Sequence, residues 1–198
     1  GRNTDSISEV SESNLMFGLR VLDLSLKFNV DTFINTDTFF NTGGVIQNHL
    51  NKYTLSKKQF LEWLQQESWK IKVINLNLQH VYGPRDDKAK FLPWIKSQFV
   101  DEVSVVNLTG GKQVRDFIYI DDVVSAFILI LDKSQPLPKY STFDVGSGEL
   151  ISIKEFLKKF KSVYEQQVGN VETNFNFGAL SYPEGEMMSV KVNNKALV

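Results

Sequence analysis

Apolar and polar residues in the first half of the chain follow two different periods. Apolar residues recur at helical spacing, at Leu15, Leu19, Leu22 and Leu26. This spacing predicts a helix over residues 15–28 and a second one over 52–66, whereas the short apolar runs at 31–36 and 70–78 suit buried strands. The order helix, strand, helix, strand indicates crossover connections, and therefore a parallel sheet with helices on both faces. Such sheets bind ligands beyond the carboxyl ends of their strands.

The second half of the chain continues this alternation with shorter elements. Helices are predicted over 90–99, 122–131 and 152–164, and strands over 103–108, 117–120, 142–145 and 171–177. Ser152 is predicted to cap the last helix, and Glu155 to complete a capping box. The fold class is therefore α/β. Residues 1–85 are assigned mainly to the sheet domain, and residues 86–198 mainly to a smaller α/β substrate-binding lobe with some segments returning to the sheet.

Composition and charge remove several classes of function. The 198 residues carry a formal net charge of -1, which argues against a nucleic-acid-binding protein with a basic face. The chain has no cysteine and two histidines, so neither a disulfide framework nor a Cys- or His-rich metal site is expected. No apolar run approaches the roughly 20 residues of a membrane span. The sequence therefore predicts a cytoplasmic protein that binds neither membranes nor nucleic acid.

Tyr53 and Lys57 lie four residues apart, on one face of the second predicted helix. Phe60 and Leu64 continue that face, so the pair is expected beside buried surface. A nearby ammonium group stabilises a phenolate, which makes Tyr53 a usable acid or base near neutral pH. The alternative is a half-buried tyrosine beside a lysine that extends into solvent. The spacing alone favours this alternative.

Polar residues also follow two predicted strands. Thr36, Asp37 and Thr38 come at the end of the first strand, where they either line a site at the carboxyl edge or cap a turn. His80 precedes a Gly-Pro pair that ends the next strand. A lone histidine is most often structural, so this position leaves its role open.

Arg115 opens a further predicted strand, after a loop that contains Gly110 and Gly111. An arginine placed in this way can bind a phosphate group through two hydrogen bonds. The alternative is a surface ion pair between Arg115 and Asp116, with Asp121 capping the following helix.

Four segments, in order, resemble the extended short-chain dehydrogenase/reductase family, and within it the nucleotide-sugar epimerases, dehydratases and reductases. The family's active-site helix is similar to YTLSKKQF, its strand and Asn-Val-Tyr-Gly-Pro turn to LNLQHVYGPRDD, its Arg-Asp-Phe-Ile-Tyr-Val-Asp-Asp signature to GKQVRDFIYIDDVVSAF, and its Asn-Ile-Gly-Ser-Gly turn to FDVGSGELISIKEF. The resemblance extends over nearly the whole chain. It implies the C-terminal portion of a Rossmann-like parallel sheet, an NAD or NADP cofactor and a nucleotide-diphosphate sugar as substrate.

The resemblance also implies catalytic and cofactor-binding residues. Tyr53 is expected to be the general acid/base for the sugar hydroxyl or ketone, and Lys57 to hold the nicotinamide ribose and tune the acidity of Tyr53. Thr36 corresponds to the Ser/Thr that bonds the same sugar oxygen. Asn14 resembles the helix asparagine near the cofactor, and His80 is expected to contact both the cofactor and the substrate.

The expected substrate-binding residues are Asp37, Thr38, His80, Lys90, Phe91 and Arg115. Arg115 matches the arginine that contacts the nucleotide diphosphate. Lys90 and Phe91 lie in the segment that lines the nucleotide pocket of the family, and residues 107–109 lie near its base-binding edge.

Several departures from the family pattern bear on the reaction. Dehydratases of the family carry Thr-Asp-Glu at the strand end, and Thr38 replaces that glutamate, which counts against 4,6-dehydration. His80 replaces the asparagine of the family turn. The stretch from Thr36 to Tyr53 is short, so the loop over the sugar is expected to be abbreviated.

The chain contains no Gly-x-x-Gly-x-x-Gly turn. The pyrophosphate-binding part of the sheet is therefore expected to precede Gly1, and the chain is expected to be a fragment or a truncated form. The residues that distinguish NAD from NADP are expected in the same missing part.

These features favour an NAD(P)-dependent enzyme that reduces a nucleotide-linked 4-keto-6-deoxyhexose. A nucleotide-sugar 4-epimerase of the same family needs the same proton-transfer residues and stays open. A non-catalytic nucleotide-binding sensor or scaffold with this fold is the alternative from another class. A homodimer through the two helices that flank the active site is also expected, with apolar residues available at Phe17, Trp63 and Trp69.

Overall fold

The computed structural model describes residues 6–41 and 51–193. The helices in these ranges are α1 Ile7–Ser11, α2 Phe17–Lys27, α3 Asn51–Glu67, α4 Phe91–Val100, α5 Ile120–Lys133 and α6 Ile153–Val168, and a π-helical turn, Glu12–Met16, joins α1 to α2. The strands are β1 Thr32–Thr38, β2 Lys72–Leu78, β3 His80–Tyr82, β4 Val105–Leu108, β5 Val114–Tyr119, β6 Tyr140–Val145, β7 Leu150–Ser152 and β8 Asn174–Phe177. None of these helices combines the length and the apolar character that crossing a bilayer requires. The loop predicted to be abbreviated lies largely outside the described residues, at 42–50.

Three strands form a parallel sheet in the order β1-β2-β6. Thr38 of β1 pairs with Leu78 of β2, and Leu78 pairs with Val145 of β6, so the three carboxyl ends lie at one edge. Ile74 and Leu76 of the central strand are fully buried, as expected for a parallel strand covered on both faces. The predicted parallel sheet is therefore confirmed.

Helices cover both faces of this sheet. On one face, Val73 packs with Leu22 of α2 and Leu64 of α3. On the other face, Ile74 packs with Ile130 of α5. Successive residues of a strand point to opposite faces, so Val73 contacts the helices on one face and Ile74 contacts the helix on the other. The α/β fold class is confirmed.

A second core lies between α4, α6 and the two-stranded parallel sheet β4-β8. Ile95 of α4 and Leu157 of α6 are fully buried there. A further sheet has the strand order β3-β5-β7. Between β5 and β7 the chain passes through β6, which pairs with β2 in the first sheet. The division into residues 1–85 and 86–198, with segments returning to the sheet, stays a prediction.

Two elements differ from the predicted ones. His80–Tyr82, which lie between the predicted strand 70–78 and the Gly-Pro pair, form a separate strand, β3, because they pair in parallel with β5, His80 with Phe117. The first helical segment begins at Ile7, well before residue 15, because Ser6 caps it by accepting a hydrogen bond from the Glu9 backbone over 3.3 Å. A serine followed three residues later by a glutamate is a helix-start signal.

Buried amides and carboxylates form a hydrogen-bonded layer across the first sheet. Asn75, at its centre, accepts a bond from Asn35 Nδ2 over 2.6 Å. Its own Nδ2 donates to Asp37 Oδ2 over 3.2 Å and to Asn77 Oδ1 over 3.1 Å. Asn77 Nδ2 in turn donates to Asp144 over 3.1 Å. The layer therefore connects β1, β2 and β6 next to their carboxyl ends.

Replacing Asn75 by leucine is expected to lower the free energy of unfolding by about 3 kcal/mol, because Asn35, Asp37 and Asn77 each lose a buried partner. Burial raises the pKa of Asp37. The loss is therefore expected to shrink as the pH falls through that raised pKa, since a protonated carboxyl depends less on the donor. Denaturant unfolding across a pH series measures both effects.

Asn176→Leu is the matched control, because Asn176 is exposed and makes its side-chain bond at the surface. Its replacement is expected to change stability by less than about 0.5 kcal/mol. A loss in Asn75→Leu that is equal at every pH would contradict the coupling to Asp37.

Candidate active site

A cleft of about 660 Å³ opens at the carboxyl edge of the first sheet. Small-molecule sites have volumes of roughly 300–1,000 Å³. The predicted site residues that line the cleft are Thr36, Asp37, Thr38, Tyr53, Lys57, His80, Lys90, Phe91, Asn107, Leu108, Thr109 and Arg115. Of the predicted site residues, all within the described ranges, Asn14 alone lies outside this lining. The fold thus brings distant segments together, while the role of each residue stays a prediction.

Lys57 extends from α3 to the end of β1. Its Nζ donates a hydrogen bond to the backbone oxygen of Thr36 over 2.9 Å. Burial lowers the pKa of Lys57 from its ordinary value, and the charge of Asp37 acts in the opposite direction. Tyr53 lies one helical turn earlier on the same face of α3. A phenol and an ammonium group therefore lie at the same part of the cleft as Thr36.

Asp37 carries a buried carboxylate that three donors hold in place. Its Oδ1 accepts bonds from the Thr38 backbone over 2.8 Å and from Asn41 Nδ2 over 3.0 Å, and its Oδ2 accepts the bond from Asn75. Burial raises the pKa of Asp37, while these bonds and the charge of Lys57 oppose the rise. Both oxygens are occupied, which suits a fixed charge beside Lys57 better than a mobile proton donor.

Asn14 supports α3 from outside the cleft. Its Nδ2 donates to Ser56 Oγ over 3.1 Å, and Ser56 Oγ donates to the backbone oxygen of Tyr53 over 2.9 Å. Asn14 belongs to the π-helical turn, an irregularity that is frequent at functional sites. The Ser56 side chain thus connects Asn14 to the backbone of Tyr53. A contact between Asn14 and the cofactor stays a prediction.

His80 is packed among aromatic rings at the cleft wall. Its ring centroid lies 4.6 Å from that of Phe39, 6.5 Å from that of Phe40 and 5.5 Å from that of Phe117. This packing fits a structural histidine, and the place of His80 in the lining fits the predicted ligand contact. The two interpretations of His80, as a structural residue and as a ligand contact, are therefore compatible.

Arg115 is buried in the cleft wall with its guanidinium group bound to a carboxylate. Its Nη2 donates to Glu186 Oε1 over 2.6 Å, and its Nη1 donates to the backbone oxygen of Val114 over 2.9 Å. The two side chains of the ion pair are 6% and 16% exposed. Burial lowers the pKa of Arg115, against the attraction of Glu186, and the guanidinium remains charged in proteins.

The alternative of a surface ion pair between Arg115 and Asp116 is wrong. Asp116 is fully buried. Its carboxylate accepts bonds from the backbone of Ser147 and Gly148 and from the Ser147 hydroxyl, each over 2.8 Å. Neighbouring strand residues point to opposite faces, which explains why these two side chains diverge. Asp121 does not cap α5 either, because it lies inside the first turn of that helix.

Lys90 and Phe91 begin α4 at the cleft. Lys90 is the N-cap residue of α4, and its Nζ pairs with Asp86 Oδ1 over 2.6 Å. The Phe91 ring lies 6.3 Å from that of Trp94, and both rings are partly open to solvent. Aromatic faces beside a cation offer a stacking surface for a flat, anionic ligand.

Polar residues at or beside the cleft are among those that the sequence analysis does not predict. Gln79, Gln113 and Glu186 line it, and Tyr182 lies next to it. The Tyr182 hydroxyl accepts a bond from the Lys112 backbone over 3.0 Å and would lie 2.8 Å from a Cβ added at Gly110. The Gly-Gly pair signals a tight turn, but no local pattern indicates that the turn receives a tyrosine from the end of the chain.

The sheet, the helices on both faces and the cleft at the carboxyl edge are those of a ligand-binding α/β protein. The model of the family described as "NAD dependent epimerase/dehydratase family" matches residues 1–146. The chain belongs to this family. The resemblance drawn from the four segments is therefore confirmed, and the family description names the nicotinamide cofactor that the resemblance implied.

Two CDP-abequose synthases match the whole chain. The one from Salmonella typhimurium is 35% identical over 199 residues, which cover 100% of this chain and 66% of that protein. The one from Salmonella muenchen is 32% identical over 200 residues, again 100% of this chain and 66% of that protein. This chain thus spans 66% of the length of these curated relatives.

Solved structures share the fold. The UDP-glucose 4-epimerase of Thermotoga maritima, solved with UDP-glucose, has a TM-score of 0.75 and 19% sequence identity. The superposition covers 96% of this chain and 63% of that chain. It shows a common Rossmann-like architecture.

Proposed function

We propose that the protein containing this chain uses NAD or NADP to reduce a nucleotide-linked 4-keto-6-deoxyhexose. The observation that carries the proposal is one cleft lined by Thr36, Tyr53, Lys57 and Arg115, in a chain 35% identical over its whole length to a CDP-abequose synthase. A CDP-linked sugar is accordingly the first substrate to test.

In the proposed reaction, the sugar ketone lies beside Thr36, Tyr53 and Lys57. The nicotinamide cofactor, when bound, supplies the hydride for the carbonyl carbon. Tyr53 donates a proton to the ketone oxygen, which the Thr36 hydroxyl holds by a hydrogen bond. The Lys57 ammonium group, fixed on the Thr36 backbone at 2.9 Å, stabilises the phenolate that remains on Tyr53.

The residues at this part of the cleft fit the nicotinamide ribose of such a cofactor. Lys57 has three N–H donors, and the Thr36 backbone occupies one of them. The others can bind ribose hydroxyl groups. Asn14 lies outside the cleft and is connected to this site by hydrogen bonds through Ser56 to the Tyr53 backbone. The 198 residues contain no glycine-rich pyrophosphate turn, so these residues would hold only the nicotinamide end.

Thr38 supports reduction over dehydration. It stands where dehydratases of the family carry a glutamate, and it is buried. Its Oγ1 accepts a bond from the Phe40 backbone over 3.4 Å. Dehydration needs a base that removes a proton from a sugar carbon, and a threonine hydroxyl cannot replace a carboxylate in this role.

The test uses the natural protein that contains this chain, with whatever sequence precedes it. The absorbance of NADPH and NADH is followed against CDP-, UDP- and dTDP-linked 4-keto-6-deoxy sugars, with product analysis. Stoichiometric loss of reduced cofactor is the expected result. Sugar conversion without net cofactor loss would indicate the 4-epimerase instead. Cofactor binding with no conversion of any sugar would favour the sensor or scaffold.

We also propose a homodimer formed through α2 and α3. Phe17 on α2 is 64% exposed and Trp63 on α3 is 50% exposed. Leu24 on α2 and Trp69, just after α3, are also exposed. Exposed apolar residues on two neighbouring helices supply the kind of surface that interaction sites in soluble proteins use, and a second copy of the same two helices would present a matching surface.

Phe17→Asp is expected to convert the dimer into a monomer, because a carboxylate buried at the interface without a partner is costly. Sedimentation velocity at several protein concentrations measures the change. Val163→Asp on α6 is the control, since Val163 is an exposed apolar residue outside α2 and α3, and it is expected to leave the dimer intact. A monomeric wild-type protein at all concentrations would contradict the proposal.

A further inference from the structure

An ion pair and two aromatic rings line one part of the cleft, at the start of α4. Asp86 and Lys90 form the pair, with Oδ1 and Nζ 2.6 Å apart, and Phe91 and Trp94 supply the rings. Each aromatic residue is 38% exposed, so part of its ring is accessible to a flat ligand. The proposed function puts a nucleotide sugar in this cleft, and the base is the flat part of that ligand.

The Asp86 carboxylate has one occupied oxygen and one available oxygen. Oδ1 lies beside the Lys90 ammonium group and accepts a hydrogen bond from the Asp87 backbone over 2.9 Å. Oδ2 makes no hydrogen bond to the described residues, and it is not among their fully buried unpartnered atoms. The Asp86 side chain is 16% exposed. Oδ2 is therefore an accessible acceptor in the cleft wall.

Lys90 makes this carboxylate compatible with an anionic ligand. An unpaired carboxylate would repel a nucleoside diphosphate that enters the same cleft. The Lys90 ammonium group, 2.6 Å from Asp86 Oδ1, compensates that charge. A carboxylate accepts hydrogen bonds through both of its oxygens, so Oδ2 remains able to accept one from the ligand.

A carboxylate oxygen distinguishes cytosine from the other pyrimidine bases. Cytosine carries an exocyclic amino group, which donates hydrogen bonds, and carboxylate side chains accept from it. Uracil and thymine carry a carbonyl oxygen at the same ring position, and a carbonyl oxygen only accepts. A carboxylate that faces this carbonyl is repelled and stays unpaired, so rejection of the wrong base adds to attraction of the right one.

We propose that Asp86 Oδ2 accepts a hydrogen bond from the amino group of a cytosine that stacks at Phe91 and Trp94. The contact selects a cytidine nucleotide over uridine and thymidine nucleotides. This assignment rests on the proposed function and names the base of its substrate. Asp86 acts on binding and specificity, and it takes no part in the proton transfer at Tyr53.

Asp86→Asn tests the assignment, because asparagine keeps the size of the side chain but has an amide that can turn a donor toward the base. Isothermal titration calorimetry on the natural protein that contains this chain measures the dissociation constants of CDP, UDP and dTDP, without sugar or cofactor. The wild type is expected to prefer CDP. In the variant, the dissociation constant of CDP is expected to rise roughly 10–100-fold, the loss of a hydrogen bond to a charged group. The dissociation constants of UDP and dTDP are expected to stay equal or fall.

Asp87→Asn is the matched control. Asp87 is exposed and lies outside the described lining of the cleft, and its Oδ1 accepts a hydrogen bond from the Ala89 backbone over 2.9 Å. The two variants remove the same charge from neighbouring positions, so a general electrostatic effect on diphosphate binding appears in both. The preference for CDP over UDP is expected to change in Asp86→Asn alone.

Three results would overturn the assignment and leave the proposed reduction standing. The first is a wild type that binds the three diphosphates equally or prefers UDP or dTDP. The second is an Asp86→Asn variant that keeps the wild-type preference. The third is an equal change of preference in Asp87→Asn, which would attribute the effect to charge alone. A wild type that binds none of the three diphosphates would overturn the proposed function as well.

Discussion

Replacing Tyr53 by phenylalanine is expected to lower kcat for the nucleotide sugar about 10²–10⁴-fold, the range that a positioned acid or base contributes. The ring stays and only the hydroxyl is lost, so KM is expected to change little and the loss to fall on kcat. Steady-state kinetics on the natural protein, with the substrate found in the assay above, measures both parameters.

Tyr140→Phe is the control for this variant. The Tyr140 hydroxyl accepts a bond from Gln65 Nε2 over 3.1 Å, away from the described lining of the cleft. Its removal is expected to leave kcat unchanged. Full activity of Tyr53→Phe would contradict the mechanism that the reductase and the epimerase share.

Replacing Arg115 by methionine is expected to have two effects. The free energy of unfolding falls by about 3–5 kcal/mol, because Glu186 keeps a mostly buried carboxylate without its partner. Affinity for the nucleoside diphosphate also falls, because a guanidinium group binds phosphate oxygens through paired hydrogen bonds. Denaturant unfolding and calorimetry measure the two effects separately.

The double variant Arg115→Met/Glu186→Gln separates the structural role from the ligand role. Neutralising Glu186 is expected to restore much of the stability and none of the affinity for diphosphate. Arg20→Met, which breaks the exposed pair with Glu12, is the control and is expected to cost less than about 1 kcal/mol. Wild-type affinity for diphosphate in the double variant would mean that Arg115 serves only the ion pair.

Elements whose cause is local could be predicted from the sequence. The capping box of α6 is observed as predicted, with Ser152 Oγ accepting from the Glu155 backbone over 3.2 Å and Glu155 Oε2 accepting from the Ser152 backbone over 3.3 Å. Both partners lie within three residues of each other, so the pattern contains the whole interaction. The parallel sheet was predictable for a related reason, since the order of helices and strands restricts the connections that can be made.

The sequence predicts in outline which distant segments come together at the candidate site. The family resemblance predicts Thr36, Tyr53 and Lys57 as site residues, and the cleft brings them together with Arg115. The physical basis is the carboxyl edge of a parallel sheet, where the ends of several strands meet whatever their distance along the chain. Their chemical roles stay predictions.

The sequence by itself determined the α/β class, the start of α6, which rests on a local capping box, and the family. Only the tertiary structure decided which polar groups are paired. Arg115 meets Glu186 across 71 positions, and Asp116 meets Ser147 across 31, so no local period encodes either contact. Gln79 shows the same limit: its buried side-chain amide has no hydrogen-bond partner among residues 6–41 and 51–193, and no sequence pattern indicates this. Pairing depends on distances and directions in the folded chain, and these exist only once the distant segments have packed together.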